Sequence, residues 1–315
     1  MEHKVPSLSV VVPVFNSEGS LPVLVERLEP VLRAVADRFE LVLVNDGSRD
    51  GSWAVVQDLT RRHDWVRGFD LMRNFGQHNA LLCGVRAARG SVVLTMDDDL
   101  QHPPEELPKL LHELARGYDV VYGAPHQESH GLLRNLASQA TKLALQKSMG
   151  AATARRVSAF RAFRTHLRDV FADYRNQYVS LDVLLTWGTT RFSSVVVRHD
   201  PRTIGQSNYT LRKLLTHALN MVTGFSAVPL QIASITGFAC TLLGLAILIY
   251  VLWTKLVHGS PVEGFTFLAS MVALFSGAQL FALGVLGEYL ARMHFRMMDR
   301  PAYAVRESVW ERDGA

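Results

Sequence analysis

The sequence predicts an α/β fold, a mostly parallel sheet with helices on both faces, followed by a C-terminal two-helix transmembrane hairpin. Three observations predict it. Apolar strand-like runs alternate with helix-like segments through the first two-thirds of the chain. Polar and acidic residues collect where several of those runs end. Two long stretches of the last third contain no Asp, Glu, Lys or Arg.

The strand and helix signals come in strict order. Ser9–Val14 reads as a buried strand, and Leu21, Leu24, Leu28 and Leu32 give helical spacing to Gly19–Arg38. Glu40–Val44 is a second strand and ends at Asn45–Asp46–Gly47–Ser48. A helix opens near Asp50, which suits an N-cap, and runs to about His63. Gly68–Met72 is a short strand, Gln77–Ala88 a helix, and Ser91–Met96 a strand ending in Asp97–Asp98–Asp99. Pro103–Pro104 with Glu105–Glu106 marks a helix start. Asp119–Gly123 is one more strand. Near-continuous apolar strands alternating with helices imply a parallel sheet covered on both faces. Such sheets bind ligands beyond the carboxyl ends of their strands. Asn16, Asp46 and Asp97–Asp99 stand at those ends.

The last third is different in kind. No charged residue lies between Lys213 and Lys255, or from Gly264 to Gly287. Each stretch contains the roughly 20 apolar residues that a spanning helix needs. Arg198, Arg202, Arg212 and Lys213 precede the first span, and Arg292, Arg296, Arg300 and Arg306 follow the second. Between the spans stands Lys255. The positive-inside rule then puts both termini in the cytoplasm. Leu8–Val14 is too short for a signal-peptide core, which agrees. Tyr209–Phe225 has apolar residues at helical spacing beside Arg212 and Lys213, fitting a helix along the membrane surface or one packed on the soluble domain. Gly237, Ala239, Gly244, Gly277, Gly284 and Gly287 allow close helix approach within the hairpin or to another subunit.

Composition narrows the classes. With 315 residues, 48% hydrophobic and 20% charged, the chain has ample core for one or two domains. A formal net charge of +4 suits an anionic lipid surface or a phosphorylated substrate. No segment joins dense Lys/Arg to aromatics, so a nucleic-acid partner is not expected. The two cysteines, Cys83 and Cys240, lie in unlike surroundings and predict neither a disulfide nor a Cys-based zinc site.

Asp97–Asp98–Asp99–Leu100–Gln101–His102–Pro103–Pro104 carries the strongest local signal. Three adjacent carboxylates repel unless a cation or protons neutralise them. A hard divalent cation binds such oxygens and keeps positions open for substrate phosphates. In extended backbone Asp97, Asp99 and Gln101 share one face. Asp46 has two readings, a turn residue or an acceptor for a base or ribose.

Four strings together, Pro13–Val14–Phe15–Asn16, Asn45–Asp46–Gly47–Ser48, Arg73–Asn74–Phe75–Gly76–Gln77–His78 and the acidic run, resemble glycosyltransferase family two, of the Rossmann-like GT-A fold. With the two spans and Leu286–Arg292, the whole chain resembles the polyprenyl-phosphate glycosyltransferases. These motifs are specific for the family and poorly specific for the sugar. The resemblance implies Pro13, Phe15, Asn16, Asp46, Asp97 and Asp98 in nucleotide binding. It implies Asp99, Gln101 and Asp97 as ligands of Mg²⁺ or Mn²⁺, with Asp97, Asp99 and Arg202 in catalysis. Arg134 and Ser138 match positions that hold the lipid phosphate, and Arg202 begins a basic segment, continuing to Gly205–Tyr209, that closes over the donor phosphates. Gln77–His78 resembles the uridine-using bacterial branch, implying a UDP-sugar and undecaprenyl phosphate. This sequence departs from the family pattern in having Asn16–Ser17–Glu18 where Asn-Glu is usual, Asn45 where Asp is usual, and Pro125–His126 where a basic residue is common.

The implied organisation is a cytosolic catalytic domain over 1–208, a juxtamembrane helix over 209–226, two spans within 227–290 (about 228–253 and 264–287) and a cytosolic tail over 291–315. The implied setting is the bacterial inner membrane, and the implied assembly a homo-oligomer. The expected reaction is inverting displacement on a nucleotide-sugar by an ionised lipid phosphate, which needs no general base. The alternatives are a processive polysaccharide synthase, for which Asp182 is the candidate base, and a non-catalytic membrane scaffold with a degenerate nucleotide site.

Overall fold

The computed structural model describes residues 4–124, 156–176, 179–200, 228–258, 264–298 and 300–310. The chain forms two compact units, residues 1–218 with 299–315, and residues 219–298.

In the first unit the expected alternation is present. β1 (Val5–Val14), α1 (Leu21–Val35), β2 (Ala36–Asn45), α2 (Ser52–Arg62), β3 (Val66–Leu71), α3 (Gln77–Ala87), β4 (Val92–Thr95), α4 (Leu107–Ala115) and β5 (Val120–Ala124) follow in order. Next come β6 (Arg161–Arg164), α5 (Leu181–Gly188) and β7 (Phe192–Val196). The eight-stranded sheet has the order β7-β5-β6-β4-β1-β2-β3-β8, where β8 is Val305–Val309. β1 pairs in parallel with β2 and β4, β2 with β3, and β5 with β7. β6 is antiparallel to β4 and β5, and β8 is antiparallel to β3.

Hydrophobic burial on both faces explains the strand compositions. Val10, Val11 and Val12 have no exposed surface. On one face Leu8, Val10, Val12 and Val14 pack with Leu24 and Leu28 of α1, Val56 of α2 and Leu110 of α4 in one cluster. On the other face α3 lies so close that a methyl at Gly84 would collide with Val11 and approach Val44. That closeness requires glycine there. Pairing of β1 with β4 stops at Val11, so Pro13 stands past the last rung of that ladder.

The apolar-run reading stops at β5 and misses β6, β7 and β8. β6 alternates Arg161–Ala162–Phe163–Arg164, and its first residue is a deeply buried arginine, 2% exposed. β8 reads Val-Arg-Glu-Ser-Val and is largely exposed. Residues 291–315, expected as a tail, therefore divide between the end of a long helix and a strand that completes the sheet.

The second unit holds α6 (Val228–His258) and α7 (Phe265–Met297). Leu230–Val257 has mean hydropathy 2.3 and Leu274–His294 has 1.3, and both are long and apolar enough to cross a membrane. Helix α7 continues past the expected boundary at 287, through Glu288 and Arg292. Gly244 meets the Phe275 ring, where a Cβ would stand 2.9 Å from the nearest ring atom. Gly237, Gly277, Gly284 and Gly287 face open space instead. Arg134, Ser138, Arg202, Gly205–Tyr209 and the helix expected over 209–226 lie outside the described residues.

Candidate functional site

Four loops meet at the carboxyl edge of the parallel strands, and they are tied to one another by side chains. The loop after β1 carries Phe15, exposed, and Asn16, in the left-handed region at φ 56°. The Asn16 side-chain oxygen accepts the Arg49 N–H at 2.9 Å, and the Asn16 N–H donates to Ser48 Oγ at 3.0 Å. The first and second loops are thereby clipped together. Glu18, in place of the usual acidic position one residue earlier, accepts the Gly51 N–H at 2.7 Å. Asp50 accepts the Ser52 N–H at 3.1 Å, but it is not the N-cap expected of it, because α2 opens at Ser52 with Gly51 in the cap position.

The second loop rests on the third. Gly47 has φ 65°, and a Cβ there would stand 2.6 Å from the Asn74 nitrogen, so both conformation and space demand glycine. Asp46 is buried, and its two oxygens accept the N–H groups of Phe75 and Gly76 at 2.7 and 2.8 Å. Burial raises its pKa and those two donors oppose the rise. Asp46 thus holds the β3–α3 loop. The Asn45 amide donates to buried Asp70 at 2.7 Å. An aspartate at position 45 would set two carboxylates against each other, which gives a physical reason for asparagine here.

The acidic triplet is not extended. β4 ends at Thr95, Asp98–Asp99 form a turn, and Leu100 has φ 61°. Strand alternation therefore does not govern these side chains, and they go three ways. Asp97 accepts from the Gln77 amide at 2.6 Å. Asp98 accepts the Ser17 hydroxyl and, at 3.3 Å, the Phe15 N–H, which binds the fourth loop to the first. Burial pushes the Asp98 carboxyl up to about 6. Asp99 is buried and accepts the Gln101 N–H at 3.1 Å.

Next to it, His102 is buried and stacked on Phe160, with its Nδ1 lacking a hydrogen-bond partner. Burial depresses it to about 4, so it is neutral at physiological pH. His199 meets its edge at 5.0 Å, and the Asp200 N–H donates to the Gln101 carbonyl at 2.9 Å. The segment that continues to Arg202 accordingly starts beside the acidic loop.

Beneath the loop lies a buried polar network. Arg161 donates to Thr95 Oγ1 at 3.0 Å and to Asp182, and Tyr122 donates its hydroxyl to the same carboxylate at 3.0 Å. This fixes the end of β4. It also occupies Asp182, the carboxylate that a processive synthase would require as a base.

The structure thus brings together Pro13, Phe15, Asn16, Asp46, Asp97, Asp98, Asp99 and Gln101. Sequence reading did not assign Ser17, Ser48, Gln77 or Asp200, whose partners are distant in the chain. Gln77 and Ser48 had a signal, their places in the motifs before α3 and after β2. Among the described residues no three His, Cys, Asp or Glu side chains converge as a metal cage. The donors present are carboxylates and one amide oxygen. That set fits a Mg²⁺-like ion that takes its remaining ligands from substrate phosphates and water.

A sheet of this order, with an acidic turn after its central strands, is a sugar-transfer scaffold of the GT-A type. Residues 9–174 match the model of glycosyl transferase family 2, and the chain belongs to that family and is a glycosyltransferase. It is 34% identical over 310 residues to the undecaprenyl-phosphate 4-deoxy-4-formamido-L-arabinose transferase of Pseudomonas paraeruginosa, covering 98% of this chain and 91% of that one. The protein of the same name from Pectobacterium carotovorum is 33% identical over 314 residues, covering 98% and 95%. Among solved structures, mannosyl-3-phosphoglycerate synthase from Rubrobacter xylanophilus aligns with a TM-score of 0.51 at 17% identity, over 69% of this chain and 72% of that one. This last likeness bears on the fold alone.

Proposed function

We propose that this glycosyltransferase moves one sugar from a nucleotide-sugar, a UDP-sugar, to undecaprenyl phosphate at the cytoplasmic face of a bacterial inner membrane. The observation that carries the proposal is the acidic β4 turn locked to the β1 loop through Asp98, Ser17 and Phe15. It stands in a chain that resembles undecaprenyl-phosphate transferases from end to end.

In this reading the exposed Phe15 and the clipped Asn16 frame the nucleoside, with Pro13 behind them and Asp46 and Asp98 holding the loops that shape the pocket. Asp97, Asp99 and Gln101 would hold Mg²⁺ or Mn²⁺. When bound, that ion supplies charge neutralisation on the donor diphosphate. Gln77 holds Asp97 in orientation, and Gln101 is fixed through its own backbone by Asp99 and Asp200. Arg202 adds positive charge where the leaving diphosphate develops its own. Arg134 and Ser138 hold the acceptor phosphate. That acceptor is already ionised near neutral pH, since the second pKa of a phosphate monoester is about 6. No side chain has to remove a proton, and attack on the anomeric carbon inverts it.

Helices α6 and α7 are assigned as the two spans, with the catalytic unit and both termini cytoplasmic and the open glycine faces available to a further copy in a homo-oligomer. Connectivity supports the hairpin, since β8, which follows α7 in the chain, pairs with β3, which precedes α6.

The test is a donor screen with detergent-purified enzyme, undecaprenyl phosphate and Mg²⁺ or Mn²⁺, read by the mass of the lipid product. One sugar per lipid is expected. A polymer, or metal-dependent nucleotide-sugar binding without turnover, would reject the reading. Asp99→Ala should lower transfer by at least about a hundredfold with membrane insertion intact; undiminished turnover would refute the assigned role of Asp99.

A further inference from the structure

Strand β8 is an unusual addition to the sheet. It contributes little to the core, because Val305, Arg306, Glu307 and Ser308 are all exposed and Val309 is half-buried. Its value must lie in what its backbone and side chains hold. Its pairing with β3 runs Gly68↔Val309, Phe69↔Ser308 and Asp70↔Glu307, then shifts so that Leu71 faces Val305. Arg306 is the extra residue in this bulge. Bulges re-aim the side chain they carry.

The re-aimed guanidinium has two partners. Arg306 Nη1 lies 3.2 Å from Asp70 Oδ2, and Nη2 donates to the Met72 carbonyl at 2.8 Å. The Met72 N–H meanwhile donates to the Ala304 carbonyl at 2.9 Å. The residue that opens the β3–α3 loop is therefore gripped on both sides by the β8 segment. The other oxygen of Asp70 accepts from Asn45, and Asp46 next in the chain holds Phe75 and Gly76. Asp70 is 3% exposed. Without Arg306 its charge would lose its cationic partner in a buried setting, a costly state that the side chain relieves by moving. That movement shifts Asn45 and the two loops beyond it.

We propose that Arg306 is a positioning residue for the donor nucleotide, acting through Asp70–Asn45 and Met72 on the loops after β2 and β3. The inference rests on the reading above that these loops frame the nucleoside. It makes the segment after α7 part of the donor site.

The experiment measures the KM for the nucleotide-sugar, the KM for undecaprenyl phosphate, kcat and Tm on wild-type enzyme and on Arg306→Ala, Arg306→Lys and Asp70→Asn. Arg306→Ala should raise the donor KM about tenfold, the loss expected for a charge-assisted hydrogen bond, with the acceptor KM within about twofold of wild type. Arg306→Lys, which keeps the charge and loses the two-pronged grip, should fall between. The double variant Arg306→Ala/Asp70→Asn should be far from additive. A lowered Tm or kcat with an unchanged donor KM would overturn the proposal, because it marks a purely structural strand. Should Arg306→Ala fail to fold, the lysine variant decides by the same two constants. A wild-type enzyme that transfers from no nucleotide-sugar would instead defeat the underlying reading.

Discussion

Arg161 shows how one residue can serve a site it never touches. It is 2% exposed, yet charged, and its partners are Thr95, the last residue of β4, and Asp182. Removing one member of a buried pair leaves the other uncompensated. Arg161→Met should cost about 3–5 kcal/mol, measured as lost thermal stability, and should blur the turn that begins three residues after Thr95. The companion change Arg161→Met/Asp182→Leu should recover part of that loss, because it removes both charges. Cys83 is the contrasting case. It is buried, and burial pushes its thiol up to about 12. At this scale the sequence pointed to Asp97–Asp99 and not to the partner that each of them takes. The Asp98 carboxylate is spoken for by Ser17 and Phe15, more than eighty positions away. No local pattern encodes such a partner, and the left-handed Leu100 that breaks strand alternation leaves no mark in composition.

Among elements, legibility follows burial. The parallel strands β1 to β5 are apolar because both faces are covered, and they were readable for that reason. β6 and β8 are antiparallel and polar, and they take their place from partners: β6 through Arg161, β8 through Asp70 and Met72. Strand β8 also has a protective duty. It covers the outer ladder of β3, whose Gly68, Phe69, Asp70 and Leu71 would otherwise present unpaired backbone groups. Deleting residues 300–315 should therefore yield protein that self-associates in detergent, visible as a high-mass shoulder in size-exclusion chromatography with light scattering. A monodisperse profile unchanged from the full chain would contradict this.

For the molecule as a whole, the physical boundary is the change from a charged, alternating sequence to two helices of high mean hydropathy. Those two helices were legible because length and polarity alone mark a segment able to cross a bilayer. The end of α7 was less so, since Glu288 and Arg292 sit inside the helix and pair with each other at 2.7 Å. An i,i+4 pair allows a helix to continue where a charge count would stop it. Tags placed at residue 1 and residue 315 should both be protected from external protease in spheroplasts, and a site within 259–263 should be cleaved. Protection of that loop, or cleavage at either tag, would overturn the orientation.

Because β8 follows the hairpin in the chain, a ribosome delivers it after every other strand of the sheet. The β3 border stays open while the two apolar helices are being made, and Asp70 waits for its cation until they have passed. On the function proposed above, the nucleotide pocket would thus be finished late, once the polypeptide is moored beside its lipid acceptor. Order of synthesis alone, with no separate regulator, would keep an unmoored nascent chain from spending activated sugar in the cytosol.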